Sequence, residues 1–196
     1  MKLYYFDIYG RAEPIRMLAS YAKLPLENII VTHDSLQELK TQGILEFGQV
    51  PVLVTEDGKH YSQSVAILRF LGRQNGFYPD DALAAYNIDS TLDSLEDFVK
   101  NYFKFHAEQD AEKKAANKES FLTKFLPAWL DAIEKRISAN STQKYIVGDK
   151  ITIADFALAG FGFSFILNEA NPYYAEVWEV VKDREVLKAY ASNLKE

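Results

Sequence analysis

The sequence predicts an α/β domain followed by an all-helical domain, and two features carry that prediction. Residues 1–76 hold six of the nine glycines and three of the six prolines, interleaved with short β-branched and aromatic runs. From about Ala82 onward strand signals stop, and apolar residues recur at helical spacing over long segments.

Leu3 to Phe6 reads as the first strand. After a turn at Tyr9-Gly10, Glu13 to Ala22 places Ile15, Leu18, Ala19 and Ala22 on one helical face, with Pro14 in the first turn, where its missing N–H is harmless. Asn28 to Thr32 is a second strand, and Ser35 to Thr41 a short helix capped by Asp34 or Ser35. Val52 to Val54 and Lys59 to Tyr61 flank Asp57-Gly58, the signal of a two-residue hairpin with a primed turn. Ser64 then caps a helix from Val65 to about Gln74. This order implies a small mixed sheet in which each crossover helix returns the chain to a parallel strand.

A domain over residues 1–76, a linker over 77–82 containing Pro79 and a helical domain over 83–196 follow. Helical periodicity runs over Leu83 to Ala107, Asn117 to Ser138, Ile153 to Asn168, Tyr173 to Val181 and Arg184 to Ser192. Thr152-Ile153-Ala154-Asp155 has the form of a capping box with Asp in place of Glu, and Ile151 is placed as its hydrophobic staple.

Composition narrows the chemistry. A net charge of −6 with no basic stripe argues against nucleic acid as a partner. The densest basic stretch, Glu112 to Lys118, reads as the solvated face of a helix. With no cysteine, any sulfur chemistry must arrive on a ligand. The longest apolar run, Phe156 to Leu167, is interrupted by glycines and is shorter than the roughly 20 residues that span a bilayer, so no membrane partner is expected. The N-terminus has no signal-peptide pattern, and the expected location is the cytoplasm.

His33, His60 and His106 lie far apart without the spacing of a zinc helix, and no metal is expected. There is no P-loop, no G-x-G-x-x-G and no G-x-S-x-G elbow. Asp93, Glu96 and Asp97 share one helical face; such a cluster could hold a cation, but a solvated face or a helix contact with a partner's basic group is the favoured reading.

Lys2-Leu3-Tyr4-Tyr5-Phe6, followed by Gly10-Arg11-Ala12-Glu13-Pro14, resembles the opening of the cytosolic glutathione transferases, most closely the sigma class with its prostaglandin D synthases and S-crystallins. Phe47 to Leu53 resembles the family's segment around a cis-proline, and Tyr61 to Ile67 its Gln-Ser turn into a helix. Asp93 to Phe98 and Gly148 to Phe156 resemble its interface helix and its capping-box helix.

The resemblance implies a thioredoxin-like first domain, glutathione as co-substrate, conjugation of small apolar electrophiles, and a homodimer. Tyr5 is then the hydroxyl that donates to the glutathione sulfur. A free thiol titrates near pH 8.5, and a charged hydrogen bond worth about 1.5–3 kcal/mol lowers that by roughly one to two units. Successive strand residues face opposite ways, so only one of Tyr4 and Tyr5 can point into the site; without the resemblance, both are simply strand formers.

Arg11 is implied near the thiol. Val50 and Pro51 are implied to present backbone to the cysteinyl part, with the cis or trans state of Pro51 open. Gln63 and Ser64 are implied at the γ-glutamyl end, where a helix N-terminus suits a carboxylate. Lys40 is implied to pair with the glycyl carboxylate, and Asp97 to reach a neighbouring subunit's γ-glutamyl ammonium. Leu36 stands where the sigma class has tryptophan and Gln49 where it has lysine, so the glycyl end departs from the pattern. Tyr9 replaces a more usual arginine. The second-substrate wall is implied to comprise Ile8, Gly10, Val99, Phe103, Ala157 and Gly160, with Tyr102 and Lys104. Lys104 lacks the aromatic character of the prostaglandin synthases. An isomerase and a non-catalytic glutathione-binding or structural protein are the competing readings.

Overall fold

The computed structural model describes residues 1–194. Four strands, β1 (Lys2–Tyr5), β2 (Glu27–Ile30), β3 (Val52–Val54) and β4 (His60–Ser62), form one sheet in the order β2-β1-β3-β4. β1 and β2 are parallel and joined by α1 (Glu13–Tyr21), whereas β1–β3 and β3–β4 are antiparallel. The expected parallel crossover therefore holds for α1 and fails for α2 (His33–Thr41), because the irregular segment from Gln42 to Pro51 turns the chain round before β3. Alternation along β1 is clean. Leu3 and Tyr5 enter the main core, and Tyr4 packs with Val31, Leu39, Leu45 and Val52 on the other side.

Three local readings need correction. α2 is capped by Thr32, not Asp34 or Ser35: the Thr32 hydroxyl accepts from the Ser35 N–H at 3.2 Å, and the Ser35 hydroxyl accepts from the Thr32 N–H at 2.8 Å. The hairpin turn is not primed, since only Gly58 (φ 77°) has a positive φ. The Gly58 N–H bonds to the Thr55 carbonyl at 3.0 Å, giving a three-residue loop over 56–58. Ser64 is the first residue of α3 (Ser64–Gln74) rather than its cap; Gln63 takes the cap position.

The helical domain opens with α4 (Ala82–His106), capped by Asp81, whose carboxylate accepts from the Ala84 N–H at 2.8 Å. α5 (Ala111–Ser120) buries nothing, as its basic run suggests. It passes through a π-helical stretch, Phe121–Phe125, into α6 (Leu126–Ala139), where Pro127 cannot donate to the preceding turn. The run predicted as one helix from Ile153 divides into α7 (Ile153–Ala157), a π-helical stretch Leu158–Phe163 and α8 (Ser164–Ile166). Two glycines lie in that stretch, and the Ser164 hydroxyl donates to the Gly160 carbonyl at 2.8 Å. α9 (Tyr174–Val181) and α10 (Glu185–Asn193) are the last helices among the described residues.

Asp155 organises this domain from a fully buried position. It accepts hydrogen bonds from the Ile146 N–H at 2.9 Å, the Thr152 N–H at 2.8 Å, the Thr152 hydroxyl at 2.9 Å and the Tyr190 hydroxyl at 2.7 Å. The two domains meet where α1 and α3 pack on α7, and Gly72 admits Ile153 there because a Cβ would lie 2.3 Å from its methyl. No helix among the described residues is long and apolar enough to cross a membrane.

Candidate active site

β1 delivers Tyr5 to the base of the turn that leads into α1. The Tyr5 side chain is only 6% exposed, and its hydroxyl accepts a hydrogen bond from the backbone N–H of Arg11 at 3.1 Å. A Cβ on Gly10 would come within 2.8 Å of that oxygen, so this close approach requires glycine. Burial is the largest influence on Tyr5 and raises its pKa above the usual phenol value. The Arg11 N–H and the charges of Arg11 and Arg16 oppose this without reversing it. At neutral pH the phenol therefore keeps its proton, and with its oxygen already accepting from Arg11, the O–H is available to donate.

The Arg11 guanidinium crosses to α4 and makes a bidentate ion pair with Glu96, at 2.7 and 2.9 Å. Two acids of the carboxylate cluster thus face basic groups: Glu96 is paired with Arg11, and Asp93 lies 3.9 Å from Arg69. Among the described residues no group of three His, Asp or Glu side chains is arranged to hold a metal ion.

Beside Arg11 and Glu96 opens a cavity of about 390 Å³. One wall is Gly48, Gln49, Val50 and Pro51, and the Val50–Pro51 peptide bond is cis. A second wall is Ser62, Gln63 and Ser64 at the start of α3. Gln63 has φ 70° and ψ 111°, a conformation outside the left-handed helical region that costs a non-glycine residue about 1–3 kcal/mol. Ser62 lines this wall, and its hydroxyl is buried with no hydrogen-bond partner in the protein. Phe6, Leu36 and Phe47 make the third wall apolar.

Seven of the residues expected around glutathione thus line one cavity: Arg11, Leu36, Gln49, Val50, Pro51, Gln63 and Ser64. Tyr5 lies behind Arg11 rather than in the lining itself. Lys40 stands at the edge, its Cε 3.7 Å from where a Cβ on Gly48 would sit. Asp97 is exposed on α4 and does not line the cavity of its own chain. Phe6, Phe47, Ser62 and Glu96 were not foreseen as site residues. All four sit inside the motif blocks, but the pairing of Glu96 has no local signal because its partner Arg11 lies 85 positions away.

The expected second-substrate wall does not assemble. Gly160 is a packing position, since a Cβ there would be 2.8 Å from the Pro14 nitrogen and 2.9 Å from the Met17 sulfur. Val99 and Tyr102 are in the core at 5% and 4% exposure, held by the aromatic cluster around Phe98 and Phe105. Gly10 faces the Tyr5 hydroxyl. Ile8, Phe103 and Lys104 are exposed, and Ala157 lines a small cavity with Arg11, Ser64 and Phe161.

A thioredoxin-like α/β domain followed by a helical domain, with a cavity beside Tyr5, Arg11 and the Gln63-Ser64 turn, defines the class. Residues 1–73 match the glutathione S-transferase N-terminal domain and residues 96–193 the glutathione S-transferase C-terminal domain. A glutathione S-transferase of Anopheles gambiae is 31% identical over 195 residues, covering 96% of this chain and 94% of the relative. Glutathione S-transferase 2 of Manduca sexta is likewise 31% identical, over 95% and 93%. Among solved structures, prostaglandin synthase D of Nilaparvata lugens superposes with a TM-score of 0.79 at 26% identity, covering 98% of this chain and 91% of that one. A Pi-class glutathione S-transferase of Onchocerca volvulus gives 0.79 at 28% identity, covering 100% and 87%. The chain belongs to the glutathione S-transferase family.

Proposed function

We propose that this chain conjugates the thiol of reduced glutathione to small apolar electrophiles, with the Tyr5 hydroxyl stabilising the thiolate, and that it is of the sigma class. The observation that carries the reading is the buried Tyr5 phenol. It keeps its proton, accepts from Arg11 and so has its O–H free to donate beside a cavity of tripeptide size. That donor lowers the thiol pKa, and holding the thiolate against a bound electrophile supplies the rest of the rate. Gln63 and Ser64 offer polar contacts for the γ-glutamyl end, and Val50 for the cysteinyl part. Arg11, tied to Glu96, is a fixed positive charge near the sulfur.

The opening motif, Lys2 to Phe6 with Gly10 to Pro14, supports the sigma class. Likeness to prostaglandin synthase D of Nilaparvata lugens favours a second reading, glutathione-dependent isomerisation of a lipid. Exposed Lys104 in place of an aromatic weighs against it. A cytoplasmic homodimer is part of the proposal, with Asp97 serving the neighbouring chain's site. Light scattering is expected to give twice the chain mass of 22.4 kDa. Rates of chloronitrobenzene conjugation by wild type and Tyr5→Phe test the mechanism: a large loss is expected, and equal, appreciable rates would remove Tyr5 from it.

A further inference from the structure

We propose that the cavity takes γ-glutamylcysteinyl peptides whose third residue carries an apolar side chain, and binds them more tightly than glutathione itself. The inference rests on the proposed placing of the γ-glutamyl end at Gln63 and Ser64 and of the cysteinyl part at Val50. It concerns what lies beyond them.

The register of the sheet sets the direction. Val52 pairs with Ser62 in the antiparallel β3–β4 ladder, and continuing that register brings Pro51 and Val50 alongside Gln63 and Ser64. Back along the chain from Val50, the lining continues through Gln49 and Gly48 to Phe47, and α2 adds Leu36. A peptide laid from Ser64 past Val50 therefore brings its third residue to Leu36 and Phe47.

This end of the cavity is apolar. Leu36 packs on Val31, Leu39, Leu45 and Val52, which hold it from behind. Phe47 is 58% exposed although it lines the cavity, so it offers surface that a ligand side chain can remove from water. The only charged residues in the whole lining are Arg11 and Glu96, and these pair with each other at 2.7 and 2.9 Å. Lys40 stands at the edge beside Gly48 and takes part in none of the ion pairs among the described residues. The third residue's carboxylate thus has a cation at the rim while its side chain faces Leu36 and Phe47.

Glycine leaves this surface bare. A leucine side chain shelters part of both residues and strengthens binding by about fivefold. An apolar wall has little power to reject added methylenes, because rejection needs a clash or a polar group left unpaired. Polarity rather than size then sets the class of third residue: an amide side chain of similar bulk loses its hydrogen bonds to water against such a wall.

Calorimetry on the full chain tests the proposal, with the S-methyl derivatives of glutathione, γ-glutamylcysteinylleucine and γ-glutamylcysteinylasparagine as ligands. The leucine peptide is expected to bind about fivefold more tightly than the other two. Leu36→Gln and Phe47→Gln, the second at an exposed position, are each expected to reduce that preference to about twofold or less. A leucine peptide no tighter than the glycine one, an asparagine peptide equal to the leucine one, or a preference unchanged in both variants would overturn the proposal. Absence of binding by all three at about 10 mM would overturn it together with the placing it rests on. S-methylation removes the thiol, so failure of conjugation with these affinities intact would sink the Tyr5 mechanism and leave the third-residue site standing.

Discussion

Replacing Glu96 by glutamine keeps the shape of the side chain and removes the charge from one half of the ion pair with Arg11. The two side chains are 38% and 43% exposed, so water screens them; the bidentate geometry still places the pair near the top of the range for exposed pairs, about 1 kcal/mol. For a chain of this length such a loss lowers Tm by about 2–4 °C. The catalytic effect runs through the backbone, because the N–H of the same Arg11 supports the Tyr5 hydroxyl at 3.1 Å. A turn released from Glu96 holds that oxygen less firmly. The assay is kcat/KM for glutathione conjugation in wild type, Glu96→Gln, Arg11→Ala and the double variant. If the pair acts as a unit, the double variant resembles Arg11→Ala, with a coupling of about 1 kcal/mol, or about fivefold in kcat/KM. Effects that add to within about 0.5 kcal/mol would refute the reasoning.

Gln63→Gly relieves the strained backbone and is expected to raise stability by about 1 kcal/mol, once the added freedom of the unfolded chain is subtracted, while weakening glutathione binding. Gln63→Ala keeps the strain, so calorimetry should find weaker binding without that gain, and equal stability changes in the two variants would contradict it. Asp155→Ala leaves the buried Ile146 N–H and Tyr190 hydroxyl without their acceptor and should lower unfolding stability by about 3–5 kcal/mol in urea; a loss below about 1 kcal/mol would mean other acceptors replace it. The Asp57 carboxyl is held down at about 2 by hydrogen bonds from Lys59 and then Thr55. Its contribution to the hairpin is therefore present above the ordinary carboxylate pKa and lost as pH falls through about 2. NMR titration should find its pKa moving up towards 3.8 in Lys59→Ala, and no movement would contradict the ion pair as cause.

The periodic segments and the capping box at Thr152 were legible because each depends on neighbours close in sequence, whereas the placement of Arg11, Val50, Gln63 and Ser64 around one cavity was legible only through the resemblance of their motif blocks to a known family. What sequence did not reveal depends on partners far along the chain. Glu96 looked like one acid in a solvated cluster until α4 met the turn carrying Arg11. Gly160 entered the second-substrate wall only through the family resemblance; a small residue in an apolar helix usually serves close packing, and that is how it meets Pro14. The same ambiguity explains the hairpin: Asp-Gly serves both a primed two-residue turn and a three-residue loop, and the Gly58–Thr55 hydrogen bond selects the second. The helix cap moved to Thr32 because two residues able to cap stood next to a third, and only Thr32 has extended backbone.

The central claim is that Tyr5 donates to a bound thiolate, and the ultraviolet absorbance of the thiolate of enzyme-bound glutathione, titrated against pH, tests it most directly. In wild type the bound thiol is expected to titrate roughly one to two units below the free value of about 8.5, so that activity rises with pH and levels off near neutrality. In Tyr5→Phe it should return to near 8.5. The same lowered pKa in both proteins would show that Tyr5 does not hold the thiolate.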